Sequence, residues 1–182
     1  MRKYAVGLMA GTIALFAGAA LAQQRTTLNI VAISDKGVGE SLGTIAFSDT
    51  PQGLAIEPKL KGLPPGPHGF HIHENPSCQP REQEGKMVPG LAAGGHYDPK
   101  GTKAHRGPHS AEGHLGDLPV LVVDKDGTSS AKMVAPRLKV ADLRGRAVII
   151  HAGGDNFDDK PQALGGGGGR IACGVADLRT SN

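Results

Sequence analysis

The sequence predicts an all-β domain, an antiparallel sandwich or barrel carrying two long functional loops. Three observations predict it. Apolar residues fall in short runs rich in β-branched side chains, Gly, Pro, Asp and Asn bound those runs, and sustained helical periodicity is absent from the chain beyond its N-terminus. With 28 Gly and 13 Pro among 182 residues, turn signals recur often enough to separate many strands.

The first element is not part of that domain. Arg2 and Lys3 precede the apolar stretch AVGLMAGTIALFAGAALA, and Ala20-Leu21-Ala22 supplies a small-x-small cleavage pattern, so residues 1–22 read as a secretory signal. The stretch is short and rich in Gly and Ala for a spanning anchor. Residues 23–182 are then the mature, exported domain, long enough for a substantial core.

Extended runs follow at TLNIVAIS (27–34), LGTIAFSD (42–49), LAIEPKLKGL (54–63) and HGFHIH (68–73). After residues 74–117 come LPVLVVDKDG (118–127), SAKMVAPRL (130–138), RAVIIHAG (146–153) and RIACGVADL (170–178). DKDG, residues 124–127, marks a hairpin turn, and a short helix fits Val140 to Arg144. Residues 74–117 and 152–169 are polar, rich in Gly and Pro, and too long for turns, which in a compact domain points to function.

Composition narrows the function. Without Arg2 and Lys3 the chain has 18 basic against 17 acidic side chains, so charge does not argue for nucleic acid. Aromatic residues beyond the signal are Phe47, Phe70, Tyr97 and Phe157, leaving Val, Ile, Leu and Ala to fill the core. Cys78 and Cys173 enter an oxidising compartment, where a disulfide is the default and two free thiols or a thiolate metal site the alternative.

All eight histidines lie between His68 and His151. His71 and His73 alternate on an extended run, roughly 6.6 Å apart at Cα and on one face, so both imidazoles can converge on one object. Neutral imidazole is the commonest metal ligand, and a loop with little apolar content gains order when an ion cross-links it. In HLGD, His114 and Asp117 stand three apart with Gly116 permitting a tight bend, a spacing that suits zinc, and His96 and His105 complete a four-ligand set. His71, His73 and His151 are imidazoles borne by strands, an arrangement suited to copper; a fourth ligand there has to be shared.

GFHIHE, GGHYDP, GHLGDLP, VIIHAGGDN and GGGGGRIACGV, in that order, resemble the copper/zinc superoxide dismutases, specifically their exported, periplasmic bacterial branch. The resemblance spans about Leu28 to Asp177. It implies an eight-stranded Greek-key β-barrel or flattened sandwich of immunoglobulin-like type, a class in which this enzyme is itself a standard member. It implies dismutation of superoxide to dioxygen and hydrogen peroxide by a one-electron copper cycle, with one copper and one zinc ion per subunit.

The family pattern further implies copper on His71, His73, His96 and His151, zinc on His96, His105, His114 and Asp117, and His96 as the bridge between them. Asp155 matches a carboxylate linking His71 to His105, and Arg170 matches an arginine that receives the substrate anion beside copper. Arg170 and His96 are thus the expected catalytic residues, and a Cys78–Cys173 disulfide would hold Arg170 in place. His68 matches a bracing histidine, His109 has no ligand counterpart, and Lys86 is a candidate steering charge. Where the animal branch carries polar side chains near the copper channel, this chain has Gly165 to Gly169. Two competing readings, a non-catalytic carrier of copper and zinc and a copper-only dismutase, are disfavoured by Arg170 and by the complete zinc set respectively. Monomer and homodimer are both compatible with the sequence.

Overall fold

The computed structural model describes residues 24–176; the expected signal and residues 177–178 of the expected last strand lie outside the described residues. The strands are β1 (Arg25–Ser34), β2 (Gly37–Thr50), β3 (Gly53–Leu60), β4 (Gly66–His68), β5 (Phe70–His73), β6 (Arg81–Gln83), β7 (Lys86–Val88), β8 (Leu121–Val123), β9 (Met133–Ala135), β10 (Arg146–His151) and β11 (Arg170–Ala176).

One antiparallel sheet runs β5-β10-β11-β1-β2-β3-β9, and β4 pairs separately with β8. These two sets join into a barrel. Leu60 pairs with Ser129 in the register that sets Leu54 against Ala135, so residues 129–135 follow β3 as one interrupted strand. The 124–127 hairpin joins that strand to β8, with Asp124 N–H donating to the Thr128 carbonyl at 2.8 Å as the turn residues foresaw. At Gly69 the expected 68–73 strand changes partners, since β4 pairs with β8 and β5 with β10. Counting β4 and β5 as one strand, the circuit has the eight expected members, with sequence neighbours separated as in a Greek key.

Several boundaries differ from expectation for identifiable reasons. The 130–138 run narrows to β9 because Pro136 cannot donate to a ladder. The expected helix at 140–144 is a single 3-10 turn, Val140–Leu143, tied down by Val140 N–H donating to Asp49 Oδ1 at 2.7 Å. The first long loop is not irregular throughout, for it contains the β6/β7 hairpin and a 3-10 turn at Leu91–Ala93.

Alternation divides each strand between inside and outside. Leu28, Ile30, Ile45, Phe47, Leu54, Ile56, Phe70, Ile72, Val148 and Ile150 all point into one buried core. Burial of each such side chain contributes about 1.5–3 kcal/mol. A second cluster of Ile33, Cys78, Ala93, Ala147, Ile149 and Cys173 lies on the outer face, beneath the first long loop. The outer face of β5 and β10 is therefore covered as well, and every residue of β5 is buried.

Candidate metal centre

On β5, Phe70 and Ile72 occupy the core, which turns His71 and His73 outward under the loops. On β10 the same alternation turns out Ile149 and His151, and Ile149 stands opposite His71. The free edge of β5 recruits two loop segments. His96 pairs across from His73, and Asp117 across from His71. Tyr97 N–H donates to the Ile72 carbonyl at 2.8 Å, and Ile72 N–H to the Gly116 carbonyl at 2.9 Å. A Cβ at residue 116 would run into that Ile72 carbonyl, so the glycine of HLGD serves close backbone approach as well as the bend.

His71, His73, His96 and His151 bring one nitrogen each to within 4.8 Å of one another. His71 Nε2–H donates to Asp155 Oδ2 at 2.8 Å, His73 Nδ1–H to the Gly94 carbonyl at 3.0 Å, and His151 Nδ1–H to the Gly168 carbonyl at 3.1 Å. Each bond fixes a tautomer and leaves a lone pair on the other nitrogen. The buried atoms that find no hydrogen-bond partner include His71 Nδ1, His73 Nε2, His96 Nε2 and His151 Nε2. Four converging, desolvated lone pairs cost free energy unless a cation takes them, and an all-nitrogen set suits copper.

The second cluster centres on Asp117 Oδ1. His105 Nδ1 lies 3.0 Å from it, His96 Nδ1 3.2 Å and His114 Nδ1 3.4 Å. Ligands about 2.0–2.1 Å from a tetrahedral zinc ion stand about 3.3 Å apart, so the three distances to Asp117 match zinc-ligand spacing. The set of donors within 4.8 Å of one another around Asp117, however, holds His71, His96 and His105 and leaves His114 outside it. Asp117 Oδ2 is engaged elsewhere, accepting the N–H groups of Arg106 at 3.2 Å and Gly107 at 3.1 Å. The residues present fit both ions. His96 presents Nε2 to the first cluster and Nδ1 to the second, and its ring stacks on His71 with centroids 4.0 Å apart.

Asp155 ties the clusters together. Oδ1 accepts His105 Nε2–H at 2.7 Å and the Phe157 N–H at 2.8 Å, while Oδ2 takes His71. Gly165 roofs this carboxylate at φ 73°, and a Cβ there would overlap Asp155 Oδ1 and press on His105 Nε2. The glycine tract thus places bare backbone against the histidines.

Electrostatics follow from the packing. Burial, aided by His96, lowers His71 to about 3, and burial with the charges of His96 and Arg170 lowers His151 to about 4 against its bond to Gly168. Burial, His96 and Arg170 hold His73 well below its ordinary value, and burial lowers His96 as well. Neutral imidazoles are the ligating form. His105 runs the other way: burial opposes its charge, but Asp117 and Asp155 outweigh it and lift the ring to about 9. Both carboxylates would be raised by burial, yet their imidazole partners hold them well below the usual range.

Arg170 opens β11 beside His151, its register partner. Nη1–H donates to the Gly90 carbonyl at 2.6 Å and Nη2–H to the Gly94 carbonyl at 2.7 Å. The segment carrying those carbonyls is joined to β11 by the Cys78–Cys173 disulfide, which excludes the thiolate alternative. His68 places Nδ1 2.7 Å from the His151 carbonyl and Nε2 2.7 Å from the Pro64 carbonyl, a brace between strand and loop. His109 is exposed outside both clusters, and Lys86 is exposed on β7. The carbonyls of Gly94 and Gly168, which orient two of the histidines, carry no side-chain signal and escaped the sequence reading.

A family model described as copper/zinc superoxide dismutase matches residues 41–176. Superoxide dismutase 2 (Cu-Zn) of Salmonella typhimurium strain LT2 is 53% identical over 165 residues, 90% of this chain and 94% of that one. The Cu-Zn superoxide dismutase of Escherichia coli K12 is 47% identical over 176 residues, 96% and 99% of the two chains. Among solved structures, the Cu/Zn superoxide dismutase from Brucella abortus aligns with a TM-score of 0.81 at 50% identity, over 84% of this chain and 99% of that one. The monomeric copper, zinc superoxide dismutase from Salmonella enterica, solved in solution, gives 0.75 at 51% identity over the same shares.

Proposed function

The chain belongs to the copper/zinc superoxide dismutase family, and from that premise we propose which of its residues carry the reaction and where the enzyme works. The protein is a superoxide dismutase, an oxidoreductase that uses copper and zinc to turn superoxide into dioxygen and hydrogen peroxide. Copper is assigned to His71, His73, His96 and His151, and zinc to His96, His105, His114 and Asp117. The observation that carries the assignment is the set of four buried imidazole nitrogens without hydrogen-bond partners, converging from two strands and a loop.

When bound, copper supplies the one-electron couple that takes an electron from one superoxide and gives it to the next, while zinc undergoes no redox change. The remaining work belongs to the chain. Arg170, its guanidinium fixed by two carbonyls, presents charge and donors to the small anion. Reduction of superoxide to hydrogen peroxide consumes two protons, both drawn from solvent; His96 would take one up on Nε2 only while that nitrogen is free of copper, and pass it to the reduced anion. Asp155 holds His71 and His105 in one orientation, so the two clusters keep their spacing.

Every assigned ligand lies in one chain, so a monomer carries a complete centre and a homodimer would carry two. No helix among the described residues is long and apolar enough to cross a membrane. Residues 1–22 are assigned as the export signal, which places the mature enzyme in the bacterial periplasm; N-terminal sequencing of periplasmic material is expected to start near Gln23.

The deciding experiment loads the mature chain with both metals, quantifies them and assays dismutation beside His151→Ala. The variant is expected to lose copper and activity while keeping zinc. Full activity with bound copper in the variant would withdraw the copper assignment.

A further inference from the structure

Arg137, just beyond β9, has no place in the two clusters, yet its guanidinium donates into the loop that carries the assigned zinc ligands. Nε–H donates to the Pro108 carbonyl at 2.9 Å, Nη1–H to Gly113 at 3.4 Å, and Nη2–H to Gly107 at 3.2 Å and His114 at 2.5 Å. All four acceptors lie in the short stretch between and including the assigned zinc ligands His105 and His114. A backbone that would otherwise turn its carbonyls to solvent is gathered around one planar donor group.

The surrounding bonds give this grip its direction. Gly107 is held from both sides, its N–H by Asp117 Oδ2 at 3.1 Å and its carbonyl by Arg137. His114 is held likewise, its N–H by the Ala104 carbonyl at 3.0 Å and its own carbonyl by Arg137. His105 N–H donates to Asp159 Oδ2 at 3.0 Å. Each of these contacts joins two groups of the chain itself.

We propose that Arg137 is a positioning residue for the zinc centre: it sets residues 104–114 in their ligand-presenting shape, so that His105 and His114 face Asp117 before the metal arrives. This rests on the zinc assignment above. A preformed shell binds zinc without ordering the loop at the same moment, and so holds it longer. Lysine does not substitute, because one ammonium cannot span carbonyls spread over both limbs of the loop.

The test uses the mature, disulfide-bonded chain as wild type, R137Q and R137K. Three quantities are read: zinc release into a chelator with copper retention followed in the same sample, the visible spectrum of Co(II) placed in the zinc position, and amide exchange of the metal-free proteins. Both variants are expected to release zinc about 10- to 100-fold faster, with copper retention within about twofold of wild type and a weakened cobalt spectrum. The metal-free wild type is expected to protect the Gly107 and His114 amides, and the variants to lose that protection. Wild-type zinc release with an unchanged cobalt spectrum in R137Q would overturn the proposal. Should R137Q fail to fold, exchange in the wild-type chain decides alone, because unprotected amides at Gly107 and His114 would also overturn it. A wild-type chain that binds copper but no zinc would instead remove the zinc assignment and this inference with it.

Discussion

His73 and Arg170 are held by a single atom, the carbonyl oxygen of Gly94, which accepts His73 Nδ1–H at 3.0 Å and Arg170 Nη2–H at 2.7 Å. One peptide therefore sets the distance between an assigned copper ligand and the group assigned to receive the anion. Gly94 sits at φ 79° and ψ −157°, a region essentially closed to side chains, and a Cβ there would lie 2.7 Å from both Asn75 Nδ2 and Glu74 Oε2. Gly94→Ala should cost about 1–3 kcal/mol of stability and swing the shared carbonyl. Copper retention and kcat/KM are expected to fall together; a variant that kept both would show that the two residues are positioned independently.

Arg170→Gln removes the charge and shortens the side chain, leaving one amide group as donor. Losing one charge-assisted hydrogen bond, about 1.5–3 kcal/mol, corresponds to a fall in kcat/KM of about ten- to a hundredfold. Attraction between exposed charges is screened by salt, so the variant should also respond less steeply to ionic strength. Stopped-flow dismutation at several salt concentrations reads both effects. Kinetics identical to wild type would take Arg170 out of the reaction.

The two strand histidines and the HLGD pair were legible because strand alternation and ligand spacing are local properties. The eight strands were legible for the same reason. Topology was not, since nothing in residues 54–63 announces that β3 will pair with residues 129–135 rather than with the strand that follows it. The role of Asp155 needed the family resemblance, because a carboxylate in a glycine-rich loop reads as a turn residue until His71 and His105 are brought to it from 84 and 50 residues away. Arg137 gave no signal at all. Its partners are main-chain carbonyls, which every residue type supplies equally.

Asp155→Asn swaps an oxygen that accepts from an imidazole for an amide that presents a donor to it. Loss of such an outer partner costs about 10- to 100-fold in metal affinity. Dialysis against a chelator should therefore strip zinc from the variant before the wild type. Gly165→Ala offers an independent route to the same result, because its methyl group would overlap Asp155 Oδ1 without altering any charge. Normal zinc retention in both variants would show that the carboxylate does not support the centre.

Removal of both metals should lower thermal stability more than loss of either alone. A ligand held at a thousandfold its dissociation constant stabilises a fold by about 4.1 kcal/mol, and the imidazole nitrogens left without partners in the metal-free chain add a desolvation cost. Calorimetry of metal-free, zinc-loaded and doubly loaded protein should give three ascending midpoints. Coincident midpoints would mean that the ions do not bind these buried groups.

The disulfide is expected to serve both stability and catalysis. Cys78 and Cys173 close a loop of 95 residues, for which chain-entropy estimates give about 4 to 5 kcal/mol. The same bond ties β11, which begins at Arg170, to the segment whose Gly90 and Gly94 carbonyls hold that guanidinium. Replacing both cysteines by serine should therefore do more than lower the melting temperature. At a temperature where the variant remains folded and fully metallated, its kcat/KM should still be reduced, and its salt dependence should shift toward that of Arg170→Gln. If the folded variant instead matched the wild type in rate and salt response, the bond would serve stability alone, and the two carbonyls would suffice to hold Arg170 without it.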